Sequence, residues 1–152
     1  MSHDFIKLTF RNDCDGTGKL SVEGEGRGFA GRSGAYFDVS QVQDFARAIG
    51  EFPLPDSRRC AISSGFWSRE TPGELDQEHV GIEVYPIDGR GHLGVQVRLS
   101  TEVWQGTRSN SQKSARFEII TTYQPLADFS RDLLALMSGT AAEAILRGET
   151  LS

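Results

Sequence analysis

Hydrophobic and polar positions alternate with period two through the first part of the chain. In FIKLTF, Ile6, Leu8 and Phe10 alternate with Lys7 and Thr9, which predicts a strand with one dry face. NDCDGTG at residues 12–18 is dense in turn formers. KLSVEGE then alternates Leu20 and Val22 with Ser21 and Glu23, so the two segments read as a β-hairpin. FAGRSGAYFDV at residues 29–39 is a third extended segment. Gly31 and Gly34 inside it suggest a bulge or a close backbone approach.

The period changes after Val39. Val42, Phe45, Ala46 and Ile49 fall at i, i+3, i+4 and i+7, one face of a helix. Ser40 and Gln43 have the spacing of a capping box, and Gly50 is a stop signal. Pro53 and Pro55 then make a rigid, non-helical exit. CAISSGFW at residues 60–67 is a short segment of ambiguous type, and SRETPGELDQEH at residues 68–79 reads as a polar loop.

Alternation resumes with Val80, Ile82 and Val84, and again with Leu93, Val95, Val97 and Leu99. DGRG at residues 88–91 is a turn signal between these two runs. WQGTRSNSQKS at residues 104–114 reads as a second polar loop, and Phe117, Ile119, Thr121 and Tyr123 as a last strand. Leu126, Phe129, Leu133, Leu136 and Met137 form a helical apolar stripe, with Pro125 suited to its first turn and Gly139 to its end. Thr140 and Glu143 have capping-box spacing, which predicts a short terminal helix over residues 140–147. Tight turns join antiparallel strands. The expected fold is therefore α+β: a mostly antiparallel, curved sheet of about seven strands, a helix between strands 3 and 4, and one or two C-terminal helices. One domain is expected over residues 1–152, with its core in residues 5–147.

Composition narrows the function classes. With 152 residues, 38% of them hydrophobic, the chain is long and apolar enough to bury a core without staples. No apolar run reaches the length of a membrane span, and MSHDFIKLTF lacks the layout of a signal peptide, so a cytoplasmic location is expected. The net charge of −5 argues against sequence-independent nucleic-acid binding, which needs a basic face. Cys14 and Cys60 have no metal or redox spacing, and in a reducing cytosol such a pair is expected as thiols.

The chemical motifs fail on context. Gly26, Gly28 and Gly31 have G-x-G-x-x-G spacing, but RSGAYFDV, a β-like run, follows where a dinucleotide loop needs a helix N-terminus. A tight turn between two strands is the better reading. Asp13, Asp15 and Gly16 lack the distal glutamate of a calcium loop. His79 and His92 flank the DGRG hairpin without a third ligand, so no metal is expected. No serine sits in a nucleophile elbow, and no cofactor is expected.

The polar loops remain as candidates. The first carries Glu70, Glu74, Asp76 and Glu78 beside Trp67, and the second carries Arg108, Lys113 and Arg116 beside Trp104. Loops on a rigid sheet often carry function, and tryptophan and arginine are enriched at interface hot spots. The plain alternative is that each tryptophan packs at a strand end and the charges are solvated.

Three stretches carry a resemblance: GFAGRSGAYFDVSQVQDFARAI, HVGIEVYPIDGRGHLGVQVRLS and ARFEIITTYQPLADFSRDLLAL. In their order the chain resembles a family of small bacterial proteins typified by the immunity protein of the wall-associated contact-dependent toxin. The likeness spans residues 5–137 and is structural rather than catalytic. The longer PLPDSRR and SRETPGELDQEH segments depart from it. The resemblance implies a non-enzymatic protein that binds and blocks a cognate toxin.

The first expectation is thus a non-catalytic, immunity-type interaction domain. Trp67 would be its apolar anchor and Glu70, Glu74, Asp76 and Glu78 its recognition charges. A second is a small-molecule or anion-binding domain, enzymatic or not, on the concave sheet face, with Arg32, Arg98 and Arg116 as a clamp. A third is a homo-oligomer formed through an exposed edge strand.

Overall fold

The structure is a computed structural model and describes residues 4–55 and 58–149. The described residues fold into an α+β arrangement with eight strands in two four-stranded antiparallel sheets. The first sheet contains β1 (Phe5–Asn12), β2 (Thr17–Gly26), β3 (Phe29–Asp38) and β8 (Ala144–Arg147), in the order β3-β2-β1-β8. The second contains β4 (Ala61–Trp67), β5 (Leu75–Pro86), β6 (His92–Ser100) and β7 (Ser114–Thr122), in sequence order. Helix α1 (Val39–Ile49) follows β3, as the change of period predicts, and α2 (Tyr123–Ser138) follows β7.

Each sheet has one dry face. Ile6, Leu8, Leu20, Val22, Ala35, Phe37, Ala144 and Leu146 supply it in the first sheet. Ile62, Val80, Ile82, Val84, Leu93, Val95, Val97, Leu99, Phe117 and Ile119 supply it in the second. Both faces join the inner stripes of α1 (Val42, Phe45, Ile49) and α2 (Leu126, Phe129, Leu133) in one core cluster. Fully burying a side chain of this size contributes about 1.5–3 kcal/mol over leaving it exposed. The helices are tied by a buried bond in which the Ser130 hydroxyl donates to the Ala46 carbonyl at 2.5 Å.

The sheets also meet directly. A Cβ placed on Gly26 would lie 2.8 Å from the ring of Phe117, so only a bare backbone lets β2 approach β7 so closely. The Ser64 hydroxyl donates to the Tyr36 carbonyl and the Ser33 hydroxyl to the Ser100 carbonyl, stitching β3 to the second sheet.

The glycine-rich stretch is a hairpin turn. Arg27 and Gly28 take positive φ values of 49° and 86°, the pair of left-handed residues that a two-residue hairpin favours. β3 follows at once, and no helix begins near Gly31.

The expected α+β fold with antiparallel strands and a helix after the third is present, its strands being eight among the described residues and divided between two sheets. Three local expectations are corrected. Residues 140–147 are not helical: Ala144–Arg147 pairs with Phe5–Leu8 as an antiparallel strand. Thr140 instead closes α2, its N–H bonding the Ala135 carbonyl while left-handed Gly139 bonds Leu136. The Ser40–Gln43 capping box does not form, because α1 starts two residues earlier, with Asp38 rather than Ser40 at its cap and no side-chain cap bond. The first polar loop is also shorter than its composition implies, since β5 begins at Leu75 and takes Asp76 and Glu78 onto a strand.

Candidate functional site: a two-tryptophan cleft

The β4–β5 turn and the β6–β7 loop converge on one open cleft of about 980 Å³. Trp67 and Trp104 both line it, 49% and 59% exposed. Glu70, Asp76, Arg69, Gln105 and Thr107 complete much of its wall.

Local chemistry builds each side. On the acidic side, the Ser68 hydroxyl accepts from the N–H groups of Glu70 and Thr71, and the Ser68 N–H donates to the Glu74 carbonyl. Gly73 supplies the left-handed residue that closes this turn. On the other side, Thr101 and Lys113 bond across the loop base at 2.8 Å, and the Gln112 amide donates to the Thr101 carbonyl. Within the loop, the Thr107 N–H donates to the Trp104 carbonyl at 2.9 Å.

The cleft floor is held from β5. The Gln77 Nε2 donates to the Val103 carbonyl at 2.7 Å, and the Val103 N–H donates to Gln77 Oε1 at 3.1 Å. That pairing fixes the amide orientation and presents Oε1 to His79 Nε2 at 3.0 Å, so Nε2 carries the proton. His79, 2% exposed, stands edge-on to Phe66 at 4.6 Å, and Phe66 packs on Trp104 at 4.6 Å with a 53° tilt. Burial pushes the His79 pKa down, and the charge of Glu102 opposes this only in part.

A bulge makes the arrangement possible. Register shifts after Ser64, where Val80 pairs with Ser64 but Glu78 pairs with Gly65, so His79 has no cross-strand partner. A Cβ on Gly65 would lie 2.0 Å from the Gln77 carbonyl oxygen, so the close approach requires glycine.

The five candidate recognition residues divide three ways. Trp67, Glu70 and Asp76 come together at the cleft. Glu74 is exposed on the adjoining turn but is not part of the cleft wall. Glu78 faces elsewhere: its carboxylate takes two bonds from Arg98, at 2.7 and 3.1 Å, and one from the Ser63 hydroxyl at 2.5 Å. Burial alone would raise the Glu78 pKa, but the Arg98 and Ser63 hydrogen bonds and the Arg98 charge outweigh it and hold the pKa low.

The three candidate clamp arginines are divided between the two sheets. Arg98 and Arg116 are cross-strand partners on β6 and β7, whereas Arg32 lies on β3 of the other sheet, 3.9 Å from Glu23. The Arg98 guanidinium is already engaged by Glu78 and by Gln96 at 2.7 Å. The histidines are also apart in role: His92 stands beside the DGRG turn with its ring 2.7 Å from Asp88, at the other end of the hairpin from His79. Nothing local in the sequence marks Gln77, Phe66 or Val103 as a site residue.

An α+β protein of two packed antiparallel sheets, with an aromatic cleft between its two polar loops, is what fold and site together define. No protein-family model matches the chain, and neither curated proteins nor solved structures give a match. Among the described residues, no helix is long and apolar enough to cross a membrane.

Proposed function

We propose that this chain is a non-enzymatic protein-interaction domain of the immunity type, which captures and blocks a cognate toxin through the tryptophan cleft. The observation that supports it is that two exposed indoles and two acids, Glu70 and Asp76, which make no ion pair among the described residues, line one cleft built from two separate loops. Large, half-exposed tryptophans are the side chains that most often carry binding energy at protein interfaces. The acidic balance of the chain suits a basic partner and speeds encounter with it. The resemblance to the immunity proteins supports the same reading.

The test is capture of a defined partner from lysate of the native host, identified by mass spectrometry, with three baits. These are the wild type, Trp67→Ala/Trp104→Ala, and Glu70→Lys/Asp76→Lys. The expected result is one protein retained by the wild type, lost with both variants, and toxic when expressed without this chain. Equal retention by all three baits removes the cleft. A partner whose expression alone is harmless removes the immunity reading.

A further inference from the structure

We infer that the cleft between Trp67 and Trp104 receives a basic side chain, an arginine or lysine carried on a loop of the partner protein. This rests on the reading of the cleft as a partner-binding surface and specifies what enters it.

Three observations converge. First, both indoles stand half-exposed on the same cleft, and the face of an indole is the best aromatic surface for a cation. Second, Trp104 is preorganised. Phe66 packs against it, His79 braces Phe66, and Gln77 pins the backbone at Val103. A ring already held in place loses little freedom on binding.

Third, the cleft carries carboxylates as well as indoles, those of Glu70 and Asp76. Glu70 and Asp76 make no ion pair among the described residues, although Arg69 lines the same cleft. Two carboxylates thus line the same cleft as two half-exposed indoles. A neutral sugar stacks on indoles and donates hydroxyls to carboxylates, but it leaves their charge uncompensated. A guanidinium or ammonium uses both, stacking on a ring and bonding an acid.

The intact protein is titrated with tri-arginine, with its citrulline counterpart, which keeps the shape but not the charge, and with a neutral trisaccharide. The indole N–H signals of Trp67 and Trp104 are followed by NMR. Tri-arginine is expected to shift both signals saturably and to bind about two- to fivefold more tightly than the citrulline peptide, the scale of a cation–π contact at an exposed site. Glu70→Gln/Asp76→Asn, two exposed and structurally mild changes, is expected to weaken it by a similar factor. Absence of a saturable shift, equal binding of the citrulline peptide, a response to the trisaccharide alone, or unchanged affinity of the double variant would each overturn the inference. Indoles silent to arginine overturn it even where the tryptophan variant still loses its protein partner. Arginine binding without any protein partner sustains the cation site and removes the partner-binding reading.

Discussion

The side-chain amide of Gln77 pairs in both directions with the backbone of Val103, donating at 2.7 Å and accepting at 3.1 Å. A strand residue thereby holds a loop residue as a neighbouring strand would, and the Trp104 loop inherits the rigidity of β5. The same oxygen also receives the proton of His79. One side chain thus links the loop, the buried imidazole and, through Phe66, the exposed indole.

Gln77→Ala removes this clamp and strands buried polar groups. It is expected to cost about 1–3 kcal/mol of stability, read by urea denaturation. It should also speed amide hydrogen exchange over residues 101–107. Gln77→Glu keeps the acceptor and loses the donor, so it should fall between the two. Unchanged exchange in Gln77→Ala would show that the loop is held by something else.

The Glu78–Arg98 pair makes stability depend on acid. The folded pKa of Glu78 lies below the ordinary 4.5, so the unfolded chain binds the proton more readily. The pair's contribution is complete above about pH 4.5 and is lost as pH falls from there through the lower folded pKa. Glu78→Gln should therefore be less stable than the wild type at pH 7, by about 1–3 kcal/mol for bonds to a half-buried charged group. The gap should close as pH falls below 4.5. Denaturant midpoints of both proteins between pH 7 and 3 decide it, and a constant gap would count against the pair.

His79 works in a higher window. Its folded pKa lies below the ordinary 6.5, so it is neutral in the fold at pH 7 and resists protonation. Stability from this residue is present above about pH 6.5 and drains away as pH drops from there through the folded pKa. An NMR titration of the His79 ring should give a midpoint under 6.5. The corresponding loss of stability should be missing from His79→Gln. A midpoint at or above 6.5 would refute the burial argument.

Gly26 and Phe117 should be energetically coupled. The methyl of Gly26→Ala would meet the Phe117 ring at 2.8 Å, and such overpacking costs about 1–3 kcal/mol. Phe117→Ala removes the Cγ and Cδ2 atoms that crowd this position, so the double variant should be more stable than the sum of the single changes allows. Strict additivity in a double-mutant cycle would mean that the sheets do not pack there.

The sequence by itself determined which faces are dry. Ile6 and Leu8, Leu20 and Val22, and the runs through Val80–Val84 and Leu93–Leu99 mark the solvent boundary locally, because each side chain's burial follows from the two-residue repeat of an extended chain. The α1 and α2 stripes were legible for the same reason, as was the turn at Arg27 and Gly28, where left-handed conformation selects glycine. Only the tertiary structure decided that the strands form two sheets, that residues 144–147 pair with β1, and that the two polar loops share a cleft. Strand partners lie far apart along the chain, and their pairing energy leaves no mark on either segment alone. Ala144 and Leu146 suit a strand as well as a helix, and the open edge of β1 chose the strand. Glu78 carries the same acidic composition as Glu70, yet a bulge at Gly65 and the nearness of Arg98 turned one into an internal ion pair and left the other on the cleft.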